Sequence, residues 1–241
     1  MLHDFDNRKP FKFKQFSVFD DHSAMKVGTD AVLLGAWVNA AEKKNILDIG
    51  TGSGVIALML AQKSGAKITG IDIHRPSIED AKRNFSDSKW NNRLKAVHAS
   101  FQEYIEKCSK HYDLIVSNPP FFTNSLKSPE QQKNISKHND LLPYEELITG
   151  ARRILAGNGS FCIIIPAGDY KRIIELSENA GLFLNRRLTV FPKPSKPLSR
   201  IIMEFSTSKH KTNNDGLFIR NDNNSYTSEY ITLTKDFYLD F

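Results

Sequence analysis

Long apolar runs are absent from this sequence of 241 residues. No apolar stretch approaches the roughly 20 residues that a membrane-spanning helix requires. Residues 1–6 also lack the apolar segment of a secretory signal peptide. We therefore expect neither a membrane anchor nor a cleaved leader, and we expect a cytoplasmic protein.

Cysteine is equally scarce. Cys108 lies among charged residues and Cys162 lies within an apolar run, so the two form no metal-binding or redox motif. Internal repeats and long tracts of one charge are also missing, which excludes a solenoid and a charged disordered tail. With 40% hydrophobic and 25% charged residues, the composition is that of a globular protein with one large α/β domain.

Acidic residues are outnumbered, because 33 Lys and Arg face 27 Asp and Glu, for a net charge of +6. This excess favours a polyanionic partner, although an ordinary soluble surface is the alternative. No appended RNA-binding domain is recognisable, so we expect phosphate contacts to be spread over loops. The candidates are Lys127, Lys133, Lys137 and His138 in the long loop 122–139, and Arg186, Arg187, Lys193, Lys196 and Arg200 later in the chain.

Short apolar segments alternate with helical patterns through the middle of the chain, which predicts an α/β fold with a doubly wound, mostly parallel sheet. Seven strands are predicted, at residues 45–50, 67–73, 94–98, 112–117, 160–166, 183–191 and 200–206, and the last two should form an antiparallel closing edge. Residues 11–19 alternate like one half-buried strand, and residues 217–220 could form a short edge strand. Helices are predicted at residues 31–37, 55–62, 77–85, 143–155, 169–179 and 226–238, with Gly157 near a helix end.

A glycine loop, Gly50-Thr51-Gly52-Ser53-Gly54, connects the first of these strands to a helix. Its glycines permit a tight turn and close approach of a ligand, and the helix dipole favours negative charge. The G-x-G-x-G spacing, preceded by Asp48, differs from the dinucleotide motif G-x-G-x-x-G. The loop therefore predicts a nucleoside-type ligand and disfavours a nicotinamide cofactor.

Two further places predict ligand contacts. Asp72 ends the second strand about 20 residues after the glycine loop, where an acid binds ribose hydroxyls in dinucleotide folds. The alternative is an acid that caps the helix containing Pro76. Gly28, Thr29 and Asp30 precede a helix whose N-terminal N–H groups could bind a carboxylate, and an ordinary capped helix is the alternative there.

The segment Asp113-Leu-Ile-Val-Ser-Asn-Pro-Pro-Phe121 predicts a buried strand with Asn118 and Phe121 at its carboxyl end. Ligands of parallel sheets bind beyond these ends. The Asn118 side-chain oxygen and the Pro119 carbonyl could accept the protons of a planar amine such as adenine N6, while Phe121 stacks on the base. A simple strand-terminating turn is the alternative.

Together these motifs resemble class I S-adenosyl-L-methionine-dependent methyltransferases that modify amino groups. Residues 14–18, 25–37 and 226–239 resemble a narrower family, the bacterial valine tRNA adenine-N6 methyltransferases, which act on adenosine 37, just 3′ of the anticodon. The resemblance covers nearly the whole chain. It implies S-adenosyl-L-methionine as cofactor, the anticodon arm of tRNA as partner, no metal and no obligate protein partner, and it leaves the oligomeric state open.

The resemblance also implies site residues. The target amine would be held by Asn118, Pro119 and Phe121. Around the cofactor would lie Lys26, Gly28, Thr29 and Asp30 at the methionyl end, Gly50, Gly52 and Gly54 with Asp48 beneath them, Asp72 at the ribose hydroxyls, and also Ile73 and Asn118. Ser100 stands where many members have an acid that binds adenine, so this contact would fall to Ser100 and the Phe101 backbone.

Residues 1–40 would pack on the cofactor site of a domain that spans residues 41–241. The same motif also serves enzymes that methylate guanine N2 of ribosomal RNA or a protein glutamine, so the acceptor stays open at this point. A nicotinamide-dependent oxidoreductase and an inactive nucleic-acid-binding module are alternatives from other classes. The first fits the glycine spacing poorly, and the second gives Asp72 and Asn118 no role.

Overall fold

A computed structural model describes residues 9–120 and 142–241. The strands are β1 (Phe11–Lys12), β2 (Ser17–Val18), β3 (Asn45–Ile49), β4 (Lys67–Asp72), β5 (Leu94–His98), β6 (Tyr112–Ser117), β7 (Leu155–Pro166), β8 (Phe183–Phe191), β9 (Arg200–Ser206) and β10 (Asn213–Phe218). The helices are α1 (Thr29–Trp37), α2 (Val55–Lys63), α3 (Arg75–Ser86), α4 (Phe101–Lys107), α5 (Tyr144–Ile154), α6 (Tyr170–Asn179) and α7 (Ser228–Thr234). Short 3-10 turns occur at Asn91–Arg93 and Ala167–Asp169.

The large sheet has the strand order β10-β8-β9-β7-β6-β3-β4-β5. Strand β9 runs antiparallel to both β7 and β8, and the other pairs are parallel. This confirms the predicted mostly parallel α/β fold with an antiparallel element towards one edge. The sheet has eight strands and not seven, because β10 pairs in parallel with β8 over its whole length.

Both faces of the sheet are buried. Successive residues of each strand point to opposite sides, so one strand contributes to the core on each face. On β6, Leu114 and Val116 join one core, which includes residues of α1, α2, α3 and α7. Ile115 joins the other core, which includes residues of α4, α5 and α6. Burial on both faces explains why the strands are nearly continuous apolar runs. Within residues 9–120 and 142–241, no helix has the length and apolar character needed to cross a bilayer.

The N-terminal segment differs from the single strand predicted at residues 11–19. Strands β1 and β2 form a short antiparallel hairpin, and the Phe13 N–H donates to the Phe16 carbonyl at 2.8 Å. The turn allows the rings of Phe13 and Phe16 to stack, with centroids 4.5 Å apart. Ring stacking and burial therefore override the alternating pattern, which continues through the turn only by coincidence.

Other differences concern element ends. Helix α4 was not predicted, and Gly157 lies within β7 rather than at a helix end. The C-terminal helix is limited to Ser228–Thr234. Cys162 is fully buried, as expected, and Cys108 is half-buried.

Lys63 joins the first two helices of the α/β unit. From the end of α2 its ammonium donates to the carbonyls of Gly35, at 3.1 Å, and Ala36, at 2.6 Å, and also to that of Val38. These carbonyls lie at the C-terminal end of α1, where the helix leaves acceptors without intrahelical donors and where the dipole favours a cation. Burial lowers the pKa of Lys63 to about 8.

Gly54, at the start of α2, lies close to Phe85 of α3. Its φ is +86°, and a Cβ at this position would overlap the ring of Phe85. We expect Gly54→Ala to destabilise the fold by roughly 2 to 5 kcal/mol, because a left-handed backbone costs about 1 to 2 kcal/mol and overpacking about 1 to 3 kcal/mol. Urea unfolding would measure this change.

Gly181→Ala is the matched control. Gly181 also has a positive φ, +74°, but a Cβ there would meet no atom within 4 Å. It should show the backbone cost alone, about 1 to 2 kcal/mol. Equal destabilisation by the two variants would contradict the proposed contact with Phe85.

Candidate active site

A cavity of about 1070 Å³ opens at the carboxyl ends of β3, β4 and β6. Most residues predicted for the site lie in its wall: Lys26, Gly28, Thr29, Asp30, Gly50, Gly52, Asp72, Ile73, Ser100, Phe101, Asn118 and Pro119. Asp48 and Gly54 are not part of the wall. Phe121 and the basic residues of the loop 122–139 lie outside the described residues. The cavity therefore brings together residues from the ends of four strands, since Ser100 and Phe101 follow β5, and from the segment before α1.

The glycine loop presents its backbone to this cavity. Gly50 and Gly52 have φ values of +72° and +56°, and a Cβ on either would meet no atom within 4 Å. The N–H groups of Gly50 and Thr51 both donate to the carbonyl of Ile71, each at 2.9 Å. The loop is thus fixed to β4, and its glycines leave room for a ligand next to the main chain.

Asp72 connects the two loops that border this part of the cavity. One carboxylate oxygen accepts the Gly52 N–H at 2.8 Å, and the other accepts the His74 N–H at 2.8 Å. Helix α3 is capped by the His74 side chain, which accepts from the Ser77 N–H. Each carboxylate oxygen can accept a second hydrogen bond, so Asp72 retains acceptor capacity towards the cavity.

Asp48 lies buried beneath the glycine loop. One oxygen accepts from the Thr51 hydroxyl at 2.7 Å, and the other, Oδ1, has no hydrogen-bond partner among the described residues. Burial raises the pKa of Asp48 to about 7, the Thr51 hydrogen bond opposes this, and the negative charge of Asp72 adds to it. At neutral pH a large fraction of Asp48 therefore carries a proton.

Asn118 follows the end of β6, where the Ser117 hydroxyl donates to the Ile49 carbonyl at 2.9 Å and holds β6 against β3. The side-chain oxygen of Asn118 is buried and has no hydrogen-bond partner within the described parts of the chain. Buried polar atoms are normally hydrogen-bonded, and the exceptions require an explanation. An acceptor without a partner in a cavity wall is suited to a donor from a ligand.

Residues 19–30, here called the strap, contribute Ala24, Met25, Lys26, Gly28, Thr29 and Asp30 to the cavity wall. Within the strap, Asp20 accepts the Val27 N–H at 2.8 Å and lies 3.5 Å from the Lys26 ammonium. Asp80 on α3 accepts from the backbone N–H of His22 and from the Ser23 hydroxyl, both at 2.9 Å. The strap is therefore attached to α3 through a buried carboxylate.

Asn84, also on α3, ties the strap to the glycine loop. Its oxygen accepts the Phe19 N–H at 2.8 Å, and its amide donates to the carbonyls of Phe19, at 2.7 Å, and Ser53, at 2.8 Å. Asn84 and Asp80 were not predicted. The available signal was that Ser77, Asp80 and Asn84 share the buried face of an amphipathic helix, where polar residues need partners.

Ser100 begins α4 with a capping box. Its hydroxyl donates to the Glu103 carboxylate at 2.9 Å and accepts the Glu103 N–H at 3.2 Å, and Glu103 also lines the cavity. The hydroxyl expected to contact a ligand is thus already used to begin a helix. Ile73 and Met25, which also line the cavity, are 41% and 53% exposed, so they offer apolar surface to a flat ring.

The structure divides the predicted phosphate-binding cations into two groups. Arg186 pairs with Glu204 at 3.0 Å, Arg200 pairs with Asp30 at 2.8 Å, and Arg187 donates to the Tyr170 hydroxyl at 2.9 Å. Lys193 and Lys196 have no carboxylate partner among the described residues. Carboxylates thus neutralise Arg186 and Arg200, whereas Arg187, Lys193 and Lys196 have no such contact within residues 9–120 and 142–241.

Comparison with known proteins places these features in context. The model of a family described as "Methyltransferase small domain" matches residues 15–179. The chain is 43% identical over 230 residues to the tRNA1(Val) (adenine(37)-N6)-methyltransferase of Bacteroides fragilis, which covers 95% of this chain and 97% of that protein. For the protein of the same name from Trichodesmium erythraeum, the identity is 44% over 234 residues, with 96% and 98% covered.

Solved structures show the same fold. A predicted O-methyltransferase from Agrobacterium tumefaciens superposes with a TM-score of 0.63 at 17% identity, covering 86% of this chain and 96% of that chain. A ribosomal protein L11 methylase from Lactobacillus delbrueckii gives 0.52 at 17% identity, with 75% and 77% covered. At this level of identity the likeness is one of fold alone.

The buried acid predicts a pH-dependent contribution to stability. Because folding raises the pKa of Asp48 from 3.8 to about 7, the folded state holds a proton that the unfolded state has lost between these values. Stability from this group therefore falls as pH rises from about 4 to about 7. In Asp48→Asn the amide oxygen still accepts from Thr51, and this dependence disappears.

We expect the free energy of unfolding of Asp48→Asn, relative to wild type, to increase between pH 5 and pH 8. Denaturant unfolding of both proteins at the two pH values would measure it, and all other titrating groups cancel in the comparison. A difference that stays constant with pH would show that Asp48 titrates normally.

Proposed function

The chain belongs to the methyltransferase small domain family and, within it, to the tRNA1(Val) (adenine(37)-N6)-methyltransferases, and we propose that it methylates N6 of adenosine 37 in a valine tRNA. The supporting observation is the identity of 40% to 44% with curated members over nearly the whole length of both chains. The proposed substrate also places the reaction in the cytoplasm.

The cavity fits S-adenosyl-L-methionine, which we propose as the methyl donor. Asp72 would accept the ribose hydroxyls with the lone pairs that Gly52 and His74 leave unused. The open space beside Gly50 and Gly52 would admit the amino acid portion, and Ile73 would pack on the adenine ring. The strap residues Lys26, Gly28, Thr29 and Asp30 would enclose the methionyl end, and Phe101 would contribute its backbone.

Asp48 and Gly54 would support this site from behind. Asp48 hydrogen-bonds Thr51 within the glycine loop, and Gly54 lets α2 begin close to Phe85. Ser100 would act mainly through its backbone, because its hydroxyl is engaged with Glu103. The bonds from α3 to the strap support the further proposal that residues 1–40 pack on the cofactor site of a domain spanning 41–241.

The chemistry requires a better nucleophile than a free adenine amine, whose lone pair is delocalised into the ring. When bound, S-adenosyl-L-methionine supplies an electrophilic methyl group on a positively charged sulfur. The Asn118 oxygen, which lacks a partner among the described residues, would accept one N6 proton, and the Pro119 carbonyl would accept the other. These bonds would hold the amine with its lone pair directed at the methyl group, so that positioning supplies much of the rate enhancement.

Proline at positions 119 and 120 serves this arrangement. The proline ring fixes φ near −65°, which holds the carbonyls here rigidly. Because proline has no N–H, neither residue can donate a hydrogen bond to these carbonyls. Phe121, which lies outside the described residues, would stack on the target base. The target adenosine must leave its stack to enter the cavity, and an unpaired anticodon loop lowers the cost of that step.

Two substitutions should separate cofactor binding from catalysis. We expect Asp72→Ala to weaken S-adenosyl-L-methionine binding by on the order of 2 to 3 kcal/mol, or roughly 30- to 150-fold, since charge-assisted hydrogen bonds are lost. Asn118→Ala should bind the cofactor within a few fold of wild type and nearly abolish methyl transfer. Calorimetric titration and single-turnover rates would measure the two effects.

Circular dichroism and thermal unfolding would confirm that both variants remain folded. If cofactor affinity in Asn118→Ala falls as much as the rate, Asn118 is a cofactor ligand and does not act on the amine. Unchanged affinity in a folded Asp72→Ala variant would remove Asp72 from the site.

The acceptor can be identified directly. We expect that labelled methyl groups are transferred to unmodified valine tRNA as N6-methyladenosine, located at position 37 by nuclease mapping and mass spectrometry. A tRNA with guanosine at position 37 is the matched control, and it should accept no label. Label in a release factor, or as N2-methylguanosine in ribosomal RNA, would refute the proposed substrate.

A further inference from the structure

Two loops leave the large sheet on the side of the cavity, at the carboxyl ends of the parallel strands. Because β8 and β10 are parallel to β3, β4 and β6, the loop 192–199 after β8 and the loop 219–227 after β10 emerge on that side. The N–H groups of Ile219 and Arg220 donate to the carbonyls of Phe191, at 2.9 Å, and Pro192, at 3.0 Å. The two loops are therefore held side by side.

Three cations on these loops lack a carboxylate partner among the described residues: Lys193, Lys196 and Arg220. The Lys193 ammonium lies 3.4 Å from the Asn224 side-chain oxygen. Arg220 lies over the Tyr226 ring, 3.9 Å from its centroid, and donates to the Asn224 carbonyl at 2.6 Å. These neutral contacts orient the cations and leave their charge uncompensated. Asp222 is the acid on the same loops, so they remain net positive.

The Lys193 loop is built to hold its shape. The Lys196 N–H donates to the Lys193 carbonyl at 2.9 Å, which closes a turn of four residues. Pro192, Pro194 and Pro197 fix further backbone angles in and beside this turn. Binding through these lysines would therefore order little main chain, and less conformational entropy would be lost.

This surface lies close to the mouth of the cavity. Asp30, in the cavity wall, pairs with Arg200 on β9. Arg200 lies opposite Val190 on β8, which in turn lies opposite Leu217 on β10. Two strand spacings, about 10 Å, thus separate the Arg200 backbone from the strand that leads into Arg220.

We propose that Lys193, Lys196 and Arg220, here called the β8–β10 basic surface, bind the phosphates of the RNA stem that adjoins the methylated base. The proposal rests on the proposed function, because a base can enter the cavity only while its flanking backbone is held, and phosphate contacts fix position without reading sequence. The Arg220 guanidinium lies over the Tyr226 ring and donates one N–H to the Asn224 carbonyl, and its other N–H groups suit phosphate oxygens. Arg186 and Arg200, which the sequence also suggested, are excluded as principal contacts because carboxylates already pair with them.

The test compares two pairs of lysines with equal charge. Lys209 and Lys211 precede β10, at the opposite edge of the sheet from the cavity. The slope of log K for tRNA binding against log salt concentration measures the number of phosphate contacts. We expect Lys193→Gln/Lys196→Gln to reduce the magnitude of this slope by about 1.4 to 1.8, because each of the two lost contacts contributes about 0.7 to 0.9. If affinity at 1 M salt is unchanged, this corresponds to about 25- to 60-fold weaker binding at 0.1 M salt.

Lys209→Gln/Lys211→Gln should keep the wild-type slope, and both double variants should keep wild-type affinity for S-adenosyl-L-methionine. The rate at saturating tRNA should also be unchanged in Lys209→Gln/Lys211→Gln. Equal slopes for the two double variants would overturn the proposed surface. Competition by polyglutamate as strong as that by an RNA stem-loop would assign the surface to acidic proteins and overturn the RNA proposal.

Binding and transfer are measured separately, so the two proposals can fail independently. Wild-type protein that binds tRNA with the predicted difference between variants but transfers no methyl group to it would sustain the surface and refute the proposed function. Methylation of tRNA by the wild-type protein, with no difference in binding between the variants, would support the proposed function and refute the surface.

Discussion

The carboxylate of Asp72 accepts one N–H from the glycine loop and one from the loop before α3, and the shape of the cavity depends on these two bonds. They hold the glycine loop and the loop before α3 in place beside the cavity. The charge of Asp72 also disfavours a second charge on Asp48, since neighbouring like charges raise the pKa of a carboxyl group. Asp72 therefore faces the cavity, while burial beneath the loop raises the pKa of Asp48, whose carboxyl group supports the loop.

Much of the fold could be predicted because a sheet that is covered on both faces needs apolar strands that alternate with helices. Strands β3, β4 and β6 satisfy this requirement clearly. Strand β10 satisfies it only at its end, because Asn-Asn-Asp-Gly precedes Leu217 and Phe218, and the edge strand suggested at residues 217–220 overlaps β10 only at those two residues. Strand β10 pairs with β8 because the edge of β8 offers unpaired backbone groups. The side-chain pattern of β10 does not predict this pairing. The N-terminal hairpin could not be predicted for a similar reason, since the stacking of Phe13 on Phe16 exists only once the turn has formed.

Site residues at strand ends could be predicted because the end of an apolar run is visible in the sequence. The bonds of α3 to the strap could not, because Asp80 and Asn84 meet partners 58 and 65 residues away, and only the folded arrangement shows which polar groups face each other. The cations show the same limit. Arg200 and Lys193 look alike in a charge count, yet one is paired with Asp30 and the other lies beside a neutral amide.

The N-terminal hairpin has a consequence for the order in which the protein folds. The Lys14 ammonium donates to the Lys235 carbonyl at 2.6 Å, across 221 residues of sequence, and the ring of Phe13 stacks on Tyr238. During synthesis Lys14 leaves the ribosome 221 residues earlier than its partner Lys235. Contacts of such long sequence separation form late, because the chain must close a large loop before it gains their energy. The hairpin is therefore among the last parts to be fixed, whereas the strap that follows it can already be held by Asp80 and Asn84 of α3.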